Sequence, residues 1–389
     1  GDEAVPRLSL GQAHHYSKRH PSVHGRPRHC RKRWAVRHGA VIMQRRMSAS
    51  APGSIMITGE HAVVYGHPAI VCAIDQRVTV TAMPQDNRQV QIFSEISDPV
   101  VVALDTFEVS GPMRFVLAAL ALYRHRLPFG LRLDIVSQID PKLGLGSSAA
   151  VTIATLGLLQ AMTQPEMQSA PDPLSMLSKT RLHQQALGII RGLQGRGSGA
   201  DLAASLHGGL LGYQLAAAAA DSALSGGEGR EAGLFSQSPA SHDLVSMSEQ
   251  AAIVALPNPP QLSLCHCGYK TPTGDVLAGI AKQMLGREAA YAALYGRMGT
   301  CAMAAISAAR HREWSEFSEQ LNAYQDLMIE LGVSDPTLDA LVARARSETG
   351  VMAAKISGSG LGDCILALGP VVAQHQPAPF TAKGLVLDD

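Results

Sequence analysis

The sequence of 389 residues lacks any run of eighteen apolar residues and any segment typical of a secretory signal peptide. A membrane-spanning helix or a cleaved leader is therefore not predicted, and we expect a soluble cytoplasmic protein that does not bind membranes. The six cysteines, at positions 30, 72, 265, 267, 301 and 364, are scattered. This spacing argues against a disulfide framework and is typical of a reducing compartment.

A metal site built from cysteines is also lacking. The Cys-His-Cys sequence at 265–267 contains potential ligands, but no second Cys/His pair lies at zinc-finger spacing. Because three adjacent residues cannot close a tetrahedral site, we expect no thiolate-bound metal.

Net charge is small over the whole chain, at +1, but it is unevenly distributed. Residues 1–46 contain eleven Lys/Arg and two Asp/Glu, so residues 47–389 carry about −8. A nucleic-acid-binding arm or a transit peptide is one interpretation of the basic segment. Its scarcity of apolar residues favours a disordered extension, or a stretch upstream of a start at Met43 or Met47. The acidic remainder gives no reason to expect nucleic-acid binding.

Apolar patterning predicts strands and helices mixed without strict alternation, which indicates an α+β protein of two lobes. The predicted strands are 54–58, 67–83, 131–139, 208–215, 251–257, 262–268 and the two flanks of a glycine loop at 357–362. The predicted helices are 113–127, 149–162, 173–192, 274–310, 312–331 and 336–348.

Gly and Ser dominate residues 216–243, which predicts a long loop near a domain boundary. We accordingly predict four parts of the chain. They are an extension at 1–46, an N-terminal domain at 47–215, a linker at 216–243 and a C-terminal domain at 244–375.

The segment that looks most like a phosphate loop lacks the ending of a Walker A motif. Residues 141–159 read PKLGLGSSAAVTIATLGLL, with no Gly-Lys-Ser/Thr ending. Gly144 and Gly146 would permit close backbone approach to an anion, and the following helix would present free N–H groups and the positive end of its dipole. Backbone amides could thus hold phosphates, or Ser147 and Ser148 could simply cap the helix.

Three further segments combine glycines with reactive side chains. Glu60 and His61 follow the first strand, Asp201 follows GRGSGA at the start of a small-residue helix, and KISGSGLGDC at 355–364 is another glycine loop. Glu60 and His61 could also form a structural hydrogen-bonded pair. Asp201 could be a first-turn carboxylate that stabilises the helix dipole.

Together and in this order, the four segments resemble the GHMP kinase superfamily, from about Ala51 to Leu368. GEHAVVYGHPAI, at 59–70, is most similar to the first motif of the mevalonate kinases. The resemblance implies a two-lobed GHMP kinase fold, with a ribosomal protein S5 domain 2-like ATP-binding lobe and a ferredoxin-like C-terminal lobe. It implies ATP- and Mg²⁺-dependent phosphorylation of a small alcohol such as mevalonate in isoprenoid biosynthesis, and it allows a homodimer.

The same resemblance implies residue roles. Asp201 matches the catalytic carboxylate that accepts the proton of the substrate hydroxyl, and Ser148 matches the residue that reaches Mg²⁺. The ATP-binding positions are Lys142, Gly144, Leu145, Gly146, Ser147, Ser148 and Ala149. The substrate-side positions are Glu60, His61, Lys270, Thr273, Ser357, Gly358, Ser359 and Gly360, of which Lys270 and Thr273 would meet a carboxylate.

Two groups of the mevalonate kinase pattern are absent. Ser54 stands where that pattern has a lysine, and Ile190 stands where it has a magnesium-binding carboxylate. Glu60, or a shell of water and phosphate, could serve the metal instead. Candidate replacements for the missing charge are Lys142, Arg196 and Lys355. These two absences leave other functions open: phosphorylation of another alcohol or sugar, nucleotide binding by an inactive relative, or a mevalonate-type decarboxylation. Such decarboxylases, however, lack GEHAVVYG.

Overall fold

The computed structural model describes residues 46–140, 143–164, 178–215 and 251–388. These residues form two β-sheets with helices packed on them. The larger hydrophobic core contains residues of both sheets, and a smaller core lies among the helices and strands of the second. The predicted two-lobed α+β architecture is confirmed.

Eight strands form the first sheet. They are β1 (Met47–Thr58), β2 (Ala69–Gln85), β3 (Gln89–Ser94), β4 (Ser97–Ala103), β5 (Gly130–Ser137), β6 (Leu210–Gln214), β7 (Ala252–Leu256) and β12 (Val386–Asp388). The order is β12-β1-β2-β5-β3-β4, and β6 joins β2 to β7. Only the β3–β5 pairing is parallel.

Four helices pack with the first sheet: α1 (Arg114–Tyr123), α2 (Ser147–Thr163), α3 (Lys179–Gln194) and α4 (Ala200–His207). Helix α2 is central, because every residue from 152 to 162 is buried. A helix that is apolar on all sides is stable only inside a core, so the position of its N-terminus is fixed against β1. Within the described ranges, no helix has the length and apolarity needed to cross a bilayer.

The second sheet is entirely antiparallel, in the order β11-β8-β10-β9. Its strands are β8 (Leu262–His266), β9 (Ala353–Ser357), β10 (Cys364–Leu368) and β11 (Gln376–Pro377). The helices of this lobe are α5 (Thr273–Met284), α6 (Glu288–His311), α7 (Trp314–Leu331) and α8 (Pro336–Ser347).

Two late segments of the chain return to the first sheet. Val254 in β7 lies opposite Gly212 in β6, and Asp388 in β12 lies opposite Ser48 in β1. The predicted domain bounds stay a prediction, but β7 and β12 extend the first sheet with residues from beyond 250.

Two predicted helix bounds are wrong. The helix predicted at 274–310 is two helices, because the chain leaves helical conformation at Leu285 and Gly286 has a φ of 75°. The helix predicted to end at Gly192 continues to Gln194 and ends at Gly195, which has a φ of 73°. The predictions for 1–45, for 216–243 and for the start of the helix at 173–177 concern residues outside the described ranges.

Candidate active site

Strand β1 places Ser54 between the phosphate loop and Asp201. The Ser54 amide donates to the Leu145 carbonyl at 3.1 Å, and the Ser54 hydroxyl donates to Asp201 Oδ1 at 2.9 Å. Gly146 has a φ of 67°, and a β-carbon there would lie 2.3 Å from Ser54 Oγ. A side chain at position 146 would therefore displace the serine that contacts Asp201.

The N-terminus of α2 carries no side-chain cap. Gly146 occupies the N-cap position, so the alternative in which Ser147 and Ser148 cap the helix is wrong. Leu145 and Ala149 are buried and would offer a ligand only their backbone, whereas Ser147 is exposed and Ser148 is half-buried. The first amides of α2 are thus oriented for an anion. Lys142 lies outside the described residues.

The loop before Asp201 is held from two sides. The His183 ring donates from Nε2 to the Gly199 carbonyl at 2.9 Å, and the Tyr213 hydroxyl donates to the Ser198 carbonyl at 2.5 Å. Gly199 is the N-cap of α4, with a φ of 83°. These contacts, which sequence reasoning did not predict, fix the first turn of α4 and with it Asp201.

The Asp201 carboxylate is accessible to solvent and yet partly desolvated. Its side chain is exposed, but surrounding protein raises its pKa by desolvation, and the hydrogen bond from Ser54 lowers that pKa. An accessible charge that is nevertheless desolvated lies in a recess of the surface. Asp201 also lies in the first turn of α4, where a carboxylate stabilises the helix dipole.

Ile190 is an apolar support rather than a ligand. It is 7% exposed, and a β-carbon at Gly197 would lie 2.8 Å from Ile190 Cγ2. No three His, Cys, Asp or Glu side chains gather into a metal-binding group in the described part of the chain. The Ser148 hydroxyl and the Asp201 carboxylate are oxygen donors, which suits Mg²⁺, because this ion takes few protein ligands beside water and phosphate.

A buried ion pair joins the segment after β1 to the second lobe. The ammonium of Lys355, which is fully buried, lies 2.5 Å from Glu60 Oε1, and Tyr324 donates to the Glu60 carbonyl at 2.8 Å. Burial raises the pKa of Glu60, against the effect of Lys355, and it lowers the pKa of Lys355, against the effect of Glu60. Lys355 and Oε1 of Glu60 are thus engaged with each other, whereas Oε2 of Glu60 has no partner among the described residues.

His61 is held as a neutral imidazole. Its Nε2 lies 2.8 Å from the Ser359 carbonyl oxygen, and since a carbonyl only accepts, Nε2 carries the proton. Burial lowers the pKa of His61 to about 4, although the bond to Ser359 opposes this shift. Nδ1 of His61 and Oε2 of Glu60 are buried atoms with no hydrogen-bond partner among the described residues. Both can accept a hydrogen bond from a ligand hydroxyl.

The third glycine loop, 357–362, is tied to both lobes. Ser357 donates to the Met56 carbonyl of β1 at 3.1 Å, and Ser359 Oγ lies 3.5 Å from Thr273 Oγ1 at the start of α5. Gly360, with a φ of 79°, has no room for a β-carbon, which would lie 2.2 Å from the Val333 carbonyl oxygen. The loop therefore brings its predicted residues together with Glu60, His61 and Thr273.

Asp363 is a site residue that sequence reasoning missed. Its carboxyl carbon would lie 3.4 Å from a β-carbon at Gly144 of the phosphate loop, and Lys270 Nζ lies 3.1 Å from its Oδ1. The signal was present in the sequence, because Asp363 directly follows the glycines of the third loop.

Family models match both lobes of the chain. The model described as GHMP kinases N terminal domain matches residues 114–209, and the one described as GHMP kinases C terminal matches residues 305–376.

Curated and solved relatives agree with these matches. A mevalonate kinase from Thermococcus sibiricus is 30% identical over 349 residues, which cover 84% of this chain and 90% of the relative. The Lin0012 protein from Listeria innocua has a TM-score of 0.71 at 21% identity, covering 89% of this chain and all of the other. A mevalonate kinase from L. major, solved in complex with R-mevalonate, has a TM-score of 0.58 at 20% identity, covering 84% and 87%.

We predict that Lys355→Met destabilises the protein by about 3–5 kcal/mol, because it leaves Glu60 buried without its partner. The double variant with Glu60→Gln should lose much less, since no buried charge remains. Urea unfolding of the wild type, Lys355→Met, Glu60→Gln and the double variant measures the four free energies of unfolding. A Lys355→Met variant within about 1 kcal/mol of the wild type would show that the pair is not important for stability.

Proposed function

Because this chain belongs to the GHMP kinase superfamily, we propose that it phosphorylates the hydroxyl of mevalonate or of a closely similar alcohol, with ATP and Mg²⁺. The family makes it a small-molecule kinase. One observation supports the proposed mechanism above the others: Ser54 bonds to the Asp201 carboxylate directly beside Gly146 of the phosphate loop.

Phosphoryl transfer requires positioning and charge stabilisation more than covalent work by the protein. ATP supplies the transferable phosphoryl group, and Mg²⁺ neutralises its charge. In this proposal the amides of Gly146, Ser147 and Ser148 bind phosphate oxygens, and the Ser148 hydroxyl is the protein ligand nearest the metal. Asp201 accepts the hydroxyl proton as the oxygen–phosphorus bond forms, or it orients that hydroxyl.

The acceptor lies on the side of Glu60 and His61 in this proposal. Nδ1 of His61 and Oε2 of Glu60 have unused hydrogen-bonding capacity, and an unpaired buried polar atom costs about 1–3 kcal/mol. A hydroxylated substrate would satisfy them, while the amides of 357–360 and the Thr273 hydroxyl suit its carboxylate. Mevalonate has both groups, and the T. sibiricus relative carries that activity in its name.

A second candidate function is nucleotide binding without turnover, or turnover of a different alcohol. It is favoured by Ser54 and Ile190, because neither provides the charge that the mevalonate kinase pattern has at its position. The recess around Asp201 would exist in either case.

A panel of acceptors separates these functions. We expect ADP release with Mg²⁺ and ATP to be fastest, by kcat/KM, for mevalonate, when phosphomevalonate, homoserine and galactose are tested beside it. Faster turnover of another alcohol would reassign the acceptor. ATP binding with no turnover of any alcohol would favour the inactive relative.

Asp201→Asn should lower kcat by about 10²–10⁴, because it removes the proton acceptor and keeps the shape of the side chain. ATP affinity and thermal stability should stay close to wild type. Glu316→Gln is a matched control, since Glu316 is an exposed first-turn carboxylate of α7. If Asp201 serves only the helix dipole, both variants will change stability by up to about 1 kcal/mol and neither will change kcat.

A further inference from the structure

The part of the phosphate loop that the structure describes lies beside a negatively charged side chain. Asp363 is held in a left-handed conformation, with a φ of 62°, and its carboxylate oxygens would lie 3.5 Å from a β-carbon at Gly144. Its side chain is only 9% exposed. A bare carboxylate at this position would repel the phosphates that the loop is proposed to bind, so a cation must accompany it.

Lys270 is that cation. Its Nζ lies 3.1 Å from Asp363 Oδ1, and the backbones around the two residues are joined. The Asp363 amide donates to the Tyr269 carbonyl at 3.0 Å, and the Cys267 amide donates to the Asp363 carbonyl at 2.9 Å. Thr271 Oγ1 also donates to the Leu361 carbonyl. The ammonium is therefore positioned at the rim of the phosphate loop by strands β8 and β10.

In the Lys270–Asp363 ion pair, the ammonium can leave the carboxylate for a ligand. The Lys270 side chain, unlike that of Asp363, is 47% exposed, so a ligand can reach its ammonium and solvent screens its attraction to the carboxylate. A triphosphate offers the ammonium several charged oxygens, with which bonds are shorter and stronger than with neutral acceptors. Lys355 has no such freedom, because it is buried against Glu60.

We propose that Lys270, positioned by Asp363, supplies positive charge at the phosphate loop and binds the terminal phosphates of the nucleotide. This inference rests on the proposed kinase function and moves Lys270 from the acceptor side to the nucleotide side. Asp363 holds the Lys270 ammonium in place before the nucleotide binds. Its own negative charge repels the phosphates.

Nucleotide titrations in EDTA, without divalent metal, test this assignment. Lys270→Met should weaken ATP binding about 10- to 100-fold, with a smaller loss for AMP, and Lys270→Arg should restore most of the affinity. Asp363→Asn should leave ATP binding unchanged or make it tighter, because it removes the repelling charge and frees the ammonium.

The comparison of the two single variants is decisive, because only Lys270→Met is expected to weaken ATP binding. If the pair only braces the two loops, Lys270→Met and Asp363→Asn will weaken ATP binding alike, and the inference is overturned. It is equally overturned if Lys270→Met binds ATP normally and instead raises the KM for the alcohol. A wild-type protein that binds no ATP either in EDTA or with Mg²⁺ would remove the proposed function itself, which is a different result.

Discussion

The close packing of β1 against the phosphate loop is the constraint on which the candidate site depends. Gly53 and Gly146 are the residues that allow it, since a β-carbon at Gly53 would lie 2.5 Å from the Leu145 carbonyl oxygen and one at Gly146 would strike Ser54. Because neither glycine has a side chain, Ser54 can donate its amide to the phosphate loop and its hydroxyl to Asp201. The N-terminus of helix α2 and the Asp201 carboxylate are thereby held side by side.

The charges around the site fall into two kinds. Lys355 and Glu60 form a buried pair between the lobes, and removing one partner of such a pair costs several kcal/mol. Lys270 and Asp363 form a pair at the loop rim, in which the ammonium is half exposed and the carboxylate is nearly buried. The buried pair thus maintains the arrangement of the lobes while the rim pair remains available to a ligand. In the proposed mechanism, Lys270 offsets the charge of a triphosphate in a chain that has Ser54 and Ile190 in place of charged groups.

Local patterns predicted most of the fold and the segments of the site. Helix α2, the first-motif strand and the glycine loops were found where periodicity and glycine spacing indicated them. The bond from Ser54 to Asp201 joins residues 147 positions apart, and no local pattern reports such a contact. Strand β12 has three residues, too few to show periodicity. The break at Leu285 was missed because the sequences on both sides of it favour helix.

The pH dependence of turnover in a Ser54→Ala variant tests the central claim most directly. The Ser54 bond lowers the pKa of Asp201 against the effect of desolvation, so its loss should move the acid limb of kcat to higher pH. Ser205→Ala is a matched control, because Ser205 is buried and donates to Pro52 of the same strand at 2.8 Å, and its acid limb should stay in place. An unmoved acid limb in a folded, active Ser54→Ala enzyme would contradict the coupling of β1 to the catalytic carboxylate.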